Sequence, residues 1–236
     1  MSNLKGTSIT WLGHSFVHVQ TQVGTSILID PFMEQNPAFP KGYAMPDKVD
    51  AILVTHGHFD HIADAMPLAK KYDAMVVAIF EVAAWLESKG VEKTVGMNIG
   101  GSFRFKDVVA TMVEARHSSA MNDGDKVIYG GEPAGFVLTV DSGPTLYHSG
   151  DTTVFSDMKL IHYLYAPEVA MLPIGGHYTM GPKEAALAAN YLGVNSVLPI
   201  HYGTFPPLTG TPKQLETYLK GTGIEVVMVN AGETLR

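Results

Sequence analysis

Short apolar runs separated by turn residues dominate the first third of the chain. Ser8–Leu12 and Phe16–Gln20 read as strands, the second with period-two alternation, and Ser26–Ile29 follows a turn at Gly24. Asp30-Pro31 ends that third strand, because proline has no N–H to give to a ladder. From about Phe32 to Lys48 the periodicity is lost, and Pro37, Pro40 and Pro46 punctuate a loop long enough to cover a substrate. Ala51–Val54 is continuously apolar, as a strand buried on both faces should be. An amphipathic helix is expected over Ile62–Lys71, a strand over Ala74–Ile79, and a helix over Glu81–Lys89 that stops at Gly90.

The second half repeats the theme. Ser102–Phe105 with Val108–Ala115, and Ala134–Asp141 with Thr145–His148, read as hairpins, the latter turning through Asp141-Ser142-Gly143-Pro144. Val169–Leu172 and Ser196–Ile200 read as buried strands. Pro182–Leu192 and Pro212–Lys220 read as helices with proline in the first turn. Glu225–Asn230 is expected as the last strand. Strands followed by helices thus occur twice, dividing near Gly131. With no linker or low-complexity tract between them, residues 1–236 are expected to form a single α/β domain of two similar layers.

Composition sharpens the chemistry. The chain has 236 residues, 46% of them hydrophobic, which is enough for a sizeable core. It has no cysteine, which excludes disulfides, thiolate zinc sites, iron–sulfur clusters and thiol nucleophiles. Any bound metal must be held by imidazole and carboxylate, and there are ten histidines to supply the former. Sixteen basic against 23 acidic residues, with no basic cluster, argue against nucleic acid as a partner. The first fifteen residues lack the apolar core of a signal peptide. The most apolar run, Ala74–Phe80, is interrupted by Glu81, so a cytoplasmic protein without a membrane partner is expected.

The chemistry-bearing motif is His56-x-His58-x-Asp60-His61, directly after the strand Ala51–Val54. A loop at a strand end can turn neighbouring side chains toward one point, which a regular strand cannot. His56 and His58 can share one metal, and Asp60 with His61 can reach a second, or Asp60 can hold a water. His117 follows the strand Val108–Ala115, Asp151 follows Thr145–His148, and His201 follows Ser196–Ile200, each just beyond an apolar run. Their joint placement points to one metal-bearing edge. Asp30, at another strand end, could hydrogen-bond a ligand histidine and fix its tautomer, or serve as a helix or turn cap. His177, in Gly-Gly-His-Tyr-Thr-Met, could give a proton to a leaving group. His14 and His148 stand near the same edge in sequence but fit a structural role better, and His18 and His162 read as ordinary residues. No cofactor-binding box is evident: Met180, Trp85 and the alanines of Pro182–Leu192 read as core, and Asn98–Ser102 lacks the spacing and lysine of a phosphate loop.

HxHxDH followed by His, Asp and His, each after a strand, resembles the metallo-β-lactamase superfamily from about Trp11 to His201. The resemblance implies a four-layer αββα sandwich, the metallo-hydrolase/oxidoreductase fold. It implies one metal on His56, His58 and His117, a second on Asp60, His61 and His201, and Asp151 bridging both. Trp11-Leu12-Gly13-His14-Ser15, Ile29-Asp30-Pro31, Tyr147–Thr152, Pro173–Met180 and Pro199–Tyr202 are similar to an uncharacterised metal-dependent hydrolase branch near the L-ascorbate-6-phosphate lactonase group, whose members assemble, so a homo-oligomer is an open expectation. The lactamases that use a cysteine ligand are set aside by its absence here. Flavodiiron relatives, which carry Glu at the place of His58, are set aside too.

These residues lead to an expected activity. A metal-bound water has its pKa lowered toward ~7, which provides hydroxide at neutral pH. Asp60 is expected to orient that nucleophile and Asp151 to offset repulsion between two cations. The expectation is therefore a metal-dependent hydrolase of a small ester, lactone or phosphodiester, with Asp60 and His177 catalytic. Two divalent ions are expected, zinc foremost, although manganese, iron and nickel suit the same ligands. The alternatives are a mononuclear iron oxygenase of the persulfide dioxygenase type, which shares HxHxDH, and a phosphodiesterase or nuclease.

Overall fold

The computed structural model describes residues 4–236. In chain order the elements are β1 (Ser8–Trp11), β2 (Val17–Gln20), β3 (Ser26–Ile29), β4 (Ala51–Val54), α1 (Phe59–Ile62), α2 (Ala65–Tyr72), β5 (Met75–Ile79), α3 (Phe80–Ser88), β6 (Thr94–Met97), β7 (Ser102–Phe105) and β8 (Val108–Glu114). They continue with β9 (Ala120–Asp123), β10 (Lys126–Tyr129), β11 (Ala134–Val140), β12 (Thr145–His148), α4 (Met158–Tyr165), β13 (Val169–Pro173), α5 (Pro182–Leu192), β14 (Ser196–Ile200), α6 (Pro212–Leu219), β15 (Glu225–Val226) and β16 (Thr234–Leu235).

Among the described residues the strands form two seven-stranded sheets, β16-β1-β2-β3-β4-β5-β6 and β15-β14-β13-β12-β11-β8-β7, with β9–β10 as a separate hairpin. Each sheet is antiparallel on one side and parallel on the other: β1 to β3 run antiparallel and β3 to β6 parallel, and β7, β8, β11 and β12 run antiparallel with β12 to β15 parallel. The two halves therefore divide just after β6, not near Gly131, because the hairpin β7–β8 pairs with the second sheet.

The period-two pattern of the second sheet separates its two faces. Phe136, Leu138, Val169, Met171, Leu198 and Ile200 join the core shared with the first sheet. The alternating Val137, Ala170, Leu172 and Val197 join a second core beneath α4, α5 and α6. Sheet residues alternate faces by construction, so one strand can feed both cores. Helices α2 and α3 cover the other sheet, which gives the layers α, β, β, α. Both prolines fall in the first turn of their helices, where no N–H is needed, and Thr211 with Gln214 forms a capping box on α6.

Several boundaries differ from expectation. The helix expected at Ile62–Lys71 is two pieces, because His58 and Asp60 open a short turn of helix before α2. The last strand shrinks to β15, and β16 pairs with β1 instead. The loop 32–48 is not a cover: Phe39 stacks 6.2 Å from Phe16, and Met33, Phe39, Tyr43 and Met45 pack partly buried on the core. No helix among the described residues is long and apolar enough to cross a membrane.

His18 illustrates a core histidine with no part in the site. It is buried in β2 with Nε2 2.9 Å from Ser26 Oγ, and burial pushes its pKa down from the usual 6.5 to about 4. The unfolded chain takes up this proton below about 6.5 but the folded chain only near 4. Its contribution to stability is therefore complete above 6.5 and lost as the pH falls through that window. We expect the parent to lose about 2 kcal/mol more than His18→Asn between pH 7 and 5 in urea unfolding; parallel profiles would contradict this.

Candidate metal centre

The parallel strands of both sheets end at a common edge, the usual place for a site in α/β sheets. Asp30 follows β3, His56 and His58 follow β4, Asp151 follows β12 and His201 follows β14, while His117 leaves the end of β8. Asp30 and His201 sit at φ 50° and 51°, and His14, in the β1–β2 turn, at 55°. A left-handed backbone costs a non-glycine residue roughly 1–2 kcal/mol, so each must be held there by its surroundings.

All seven ligands read from the sequence come together. His56, His58 and His117 form one group of donor atoms lying within 4.8 Å of one another. Asp60, His61 and His201 form another together with His14, and His56, His61 and Asp151 link the two. His56 Nε2 and His58 Nδ1 face each other at 3.0 Å, close to the roughly 3.3 Å that separates two nitrogens on a tetrahedral ion at 2.0–2.1 Å. Asp151 stands between the groups, 3.0 Å from His201 Nε2, 3.4 Å from His61 Nε2 and 3.6 Å from His117 Nε2. His61 Nε2, His201 Nε2 and Asp151 Oδ1 are buried without a hydrogen-bond partner. Buried polar atoms are ordinarily satisfied, so three that converge without partners fit a cation between them.

The tautomers follow from the bonds behind the ligands. Asp30 Oδ2 accepts from His61 Nδ1 at 2.8 Å and from Thr55 Oγ1 at 2.7 Å, and Oδ1 accepts from the Thr55 amide at 2.8 Å. Thr55 Oγ1 has thereby spent its one hydrogen, so at 3.0 Å from His56 Nδ1 it can only accept. Both rings carry hydrogen on Nδ1, which leaves both Nε2 lone pairs free to bind a metal once His61 gives up any second proton. Asp30 is thus no turn cap; it orients two ligands, one through Thr55, whose role the sequence did not reveal. His14 Nε2 lies 2.9 Å from Asp60 Oδ2 and its ring is 4.0 Å from that of His201, so it steadies Asp60 at the centre of the second group. His148 accepts the Gly150 amide on Nδ1 and donates from Nε2 to the Ser15 carbonyl, which pins the turn that presents Asp151.

Charge balance divides the two groups. Burial pushes His56, His58 and His117 below the usual range, so their imidazoles are neutral, as metal binding would need. Burial also opposes charge on His61 and His201, but Asp151 and its neighbouring carboxylates outweigh it, holding His61 well above its usual range and raising His201 to about 9. Burial works against Asp60 and Asp151 too, and the surrounding histidines nonetheless keep both ionised well below the carboxylate range. The pocket carries buried negative charge that calls for cations.

A cleft of about 680 Å³ opens over these residues. It is lined by His58, Asp60, His117, Asp151 and His201, by the aromatic Phe59, Phe205 and Tyr178, and at its rim by Ala120 and Asn122 of β9. Ser119 holds that rim, accepting the Gly57 amide and donating to the Gly130 carbonyl. His177 is not brought to the cluster. It is exposed, its ring lies edge-on to Tyr178 at 4.4 Å, and Tyr178 rather than His177 lines the cleft. The cause is local: Gly175 packs so close to His201 that a Cβ would meet its carbonyl oxygen at 2.2 Å, and the turn that follows carries His177 outward at φ 53°.

Residues 25–202 match the model of the beta-lactamase superfamily domain. The chain is 53% identical over 218 residues to a UPF0173 metal-dependent hydrolase of Koribacter versatilis, covering 92% of this chain and 94% of that protein. It is 52% identical over 228 residues to another of Solibacter usitatus, covering 97% and 99%. Among solved structures it is similar to a metallo hydrolase from the hyperthermophilic archaeon Ignicoccus hospitalis, with a TM-score of 0.85, 36% identity and 97% of each chain covered.

Proposed function

The chain belongs to the β-lactamase superfamily, among its UPF0173 metal-dependent hydrolases, and from that premise we propose a binuclear centre that hydrolyses a small ester, lactone or phosphodiester. The observation that carries it is the convergence of His61 Nε2, His201 Nε2 and Asp151 Oδ1, buried and unpartnered, between two sets of donors. His56, His58 and His117 would hold one ion, Asp60, His61 and His201 the other, with Asp151 on both. The ligand set suits zinc, as it does manganese, iron or nickel. Such ions, when bound, polarise a carbonyl or phosphoryl oxygen and make water acidic enough to supply a nucleophile near neutral pH.

The chain's own residues do the rest. Asp30 keeps hydrogen on the far nitrogens of His61 and, through Thr55, of His56. His14 fixes Asp60 Oδ2, so Asp60 meets the cleft in one orientation and can accept a hydrogen bond from an attacking water. The aromatic side of the cleft and the β9 rim bound the space in which a substrate group is held against that water. No step requires His177. Two distinct donor sets favour this over a mononuclear oxygenase, and a cleft lined by no lysine or arginine disfavours a nuclease.

Stripping metal with a chelator should abolish turnover on an ester, lactone and phosphodiester panel, and re-addition of about two equivalents should restore it. Unchanged turnover in the stripped protein, or none after reloading, would contradict the proposal.

A further inference from the structure

The cleft itself discriminates among those substrates. Its lining includes no lysine or arginine. Arg116, next to His117, lines a neighbouring cleft, where it pairs with Glu114 at 3.0 Å and lies 5.2 Å over the Phe155 ring. The charged side chains that do line the cleft are the carboxylates of Asp60 and Asp151, which repel an anionic substrate. A phosphate monoester brings two negative charges and would find no built cradle of the kind that arginine forks or lysines give.

What the cleft offers instead is aromatic surface. Phe59 and Tyr178 are 48% and 55% exposed and line the cleft beside the buried donor groups, so their rings present apolar surface to whatever enters it. Phe59 is backed by an aromatic cluster that holds it in place: it meets Phe32 edge-on at 5.8 Å and Phe205 at 6.4 Å, while His14 touches both Phe32 and Phe205. The same His14 that orients Asp60 therefore ties this wall to the reacting side of the cleft. At about 680 Å³ the space takes a substrate of drug-like size or smaller.

We infer that the site selects an uncharged ester or lactone whose acyl or aryl group lies against Phe59, Phe205 and Tyr178, and that it discriminates against phosphate esters. This rests on the hydrolytic reading of the same site. The step balances as ordinary hydrolysis: water adds to the carbonyl carbon, the acyl C–O bond breaks, and the products are a carboxylic acid and an alcohol, or one hydroxy acid from a lactone.

Two measurements on the metal-loaded protein separate this inference from its premise. The first compares kcat/KM for p-nitrophenyl acetate, butyrate and hexanoate with that for bis(p-nitrophenyl) phosphate and p-nitrophenyl phosphate. The second titrates the inert amides butanamide, hexanamide and 4-phenylbutanamide, and phenylphosphonate, by calorimetry. Full burial of a methylene is worth about fourfold, so kcat/KM and amide affinity should each rise at least tenfold from the four-carbon or shorter members to the longest. The neutral esters should exceed both phosphate esters by at least a hundredfold. Phe59→Ala and Tyr178→Ala should flatten both length dependences while bound metal stays at the parent level. A flat series, or a phosphate ester matching the best carboxylic ester, overturns the inference and leaves the hydrolase standing. Length-dependent amide binding with no turnover of any ester overturns the hydrolase and leaves the apolar subsite standing.

Discussion

Replacing Asp151 with asparagine should lower kcat/KM by at least about 10³-fold, equivalent to roughly 4 kcal/mol of transition-state stabilisation, and reduce bound metal from two ions per chain to one or fewer. The effect should be large because of where the carboxylate sits. It is buried between the two donor groups, with His201, His61 and His117 all within 3.6 Å. An amide keeps the shape but supplies no charge to offset two cations, and half of its polar surface becomes a donor. A second readout follows in the metal-free chain. His201 is raised to about 9 in the folded state, so its protonation contributes stability that is fully present below about 6.5 and lost as the pH rises through 9. With Asp151→Asn that alkaline loss should shrink. Metal analysis, kinetics and urea unfolding at pH 6.5 and 9 test this together; an Asp151→Asn protein with two ions and near-parental kcat/KM would contradict it.

Asp30→Asn should weaken metal binding by about 10- to 100-fold although Asp30 is assigned to neither ion. With the asparagine oxygen kept on the Thr55 amide, its NH₂ faces Thr55 Oγ1 and His61 Nδ1, where Asp30 Oδ2 now accepts. A donor opposite His61 Nδ1 favours the other tautomer, with hydrogen on the Nε2 that should bind metal. Thr55, deprived of its acceptor, can turn its hydrogen to His56 Nδ1 and do the same there. Thr55→Val should reproduce only the His56 share, with a smaller loss. Competitive metal titration against a chromogenic chelator measures both; an unaltered affinity in Asp30→Asn would show that the tautomers are set elsewhere.

That the seven candidate ligands share one edge was legible because His56, His117, Asp151 and His201 each come just after an apolar run, and an apolar run ending in a polar residue marks a strand reaching the sheet edge. Asp30 was legible for the same reason. His14 was less so: a lone histidine in a turn gives no sign of its partner, and only the left-handed backbone at φ 55° shows that it is aimed. Thr55 is invisible in sequence as a tautomer relay, since its meaning depends on Asp30, 25 residues away. That His177 points away from the cluster was not legible, because flanking glycines suggest freedom, whereas Gly175 makes close contact with His201. The division near Gly131 failed because sheet membership is a long-range choice: β7–β8 carries the same local pattern whichever sheet it joins. The short β9–β10 hairpin, which forms one rim of the cleft, has partly exposed strands and so leaves little hydrophobic signal.

The most direct test of the central claim is anomalous diffraction from crystals of the metal-replete protein, measured on both sides of the absorption edge of the metal found in it. The account requires two peaks per chain, one among His56, His58 and His117 and the other among Asp60, His61 and His201, with Asp151 contacting both. A single peak at full metal supply, or two peaks of which either lies away from these residues, would contradict it.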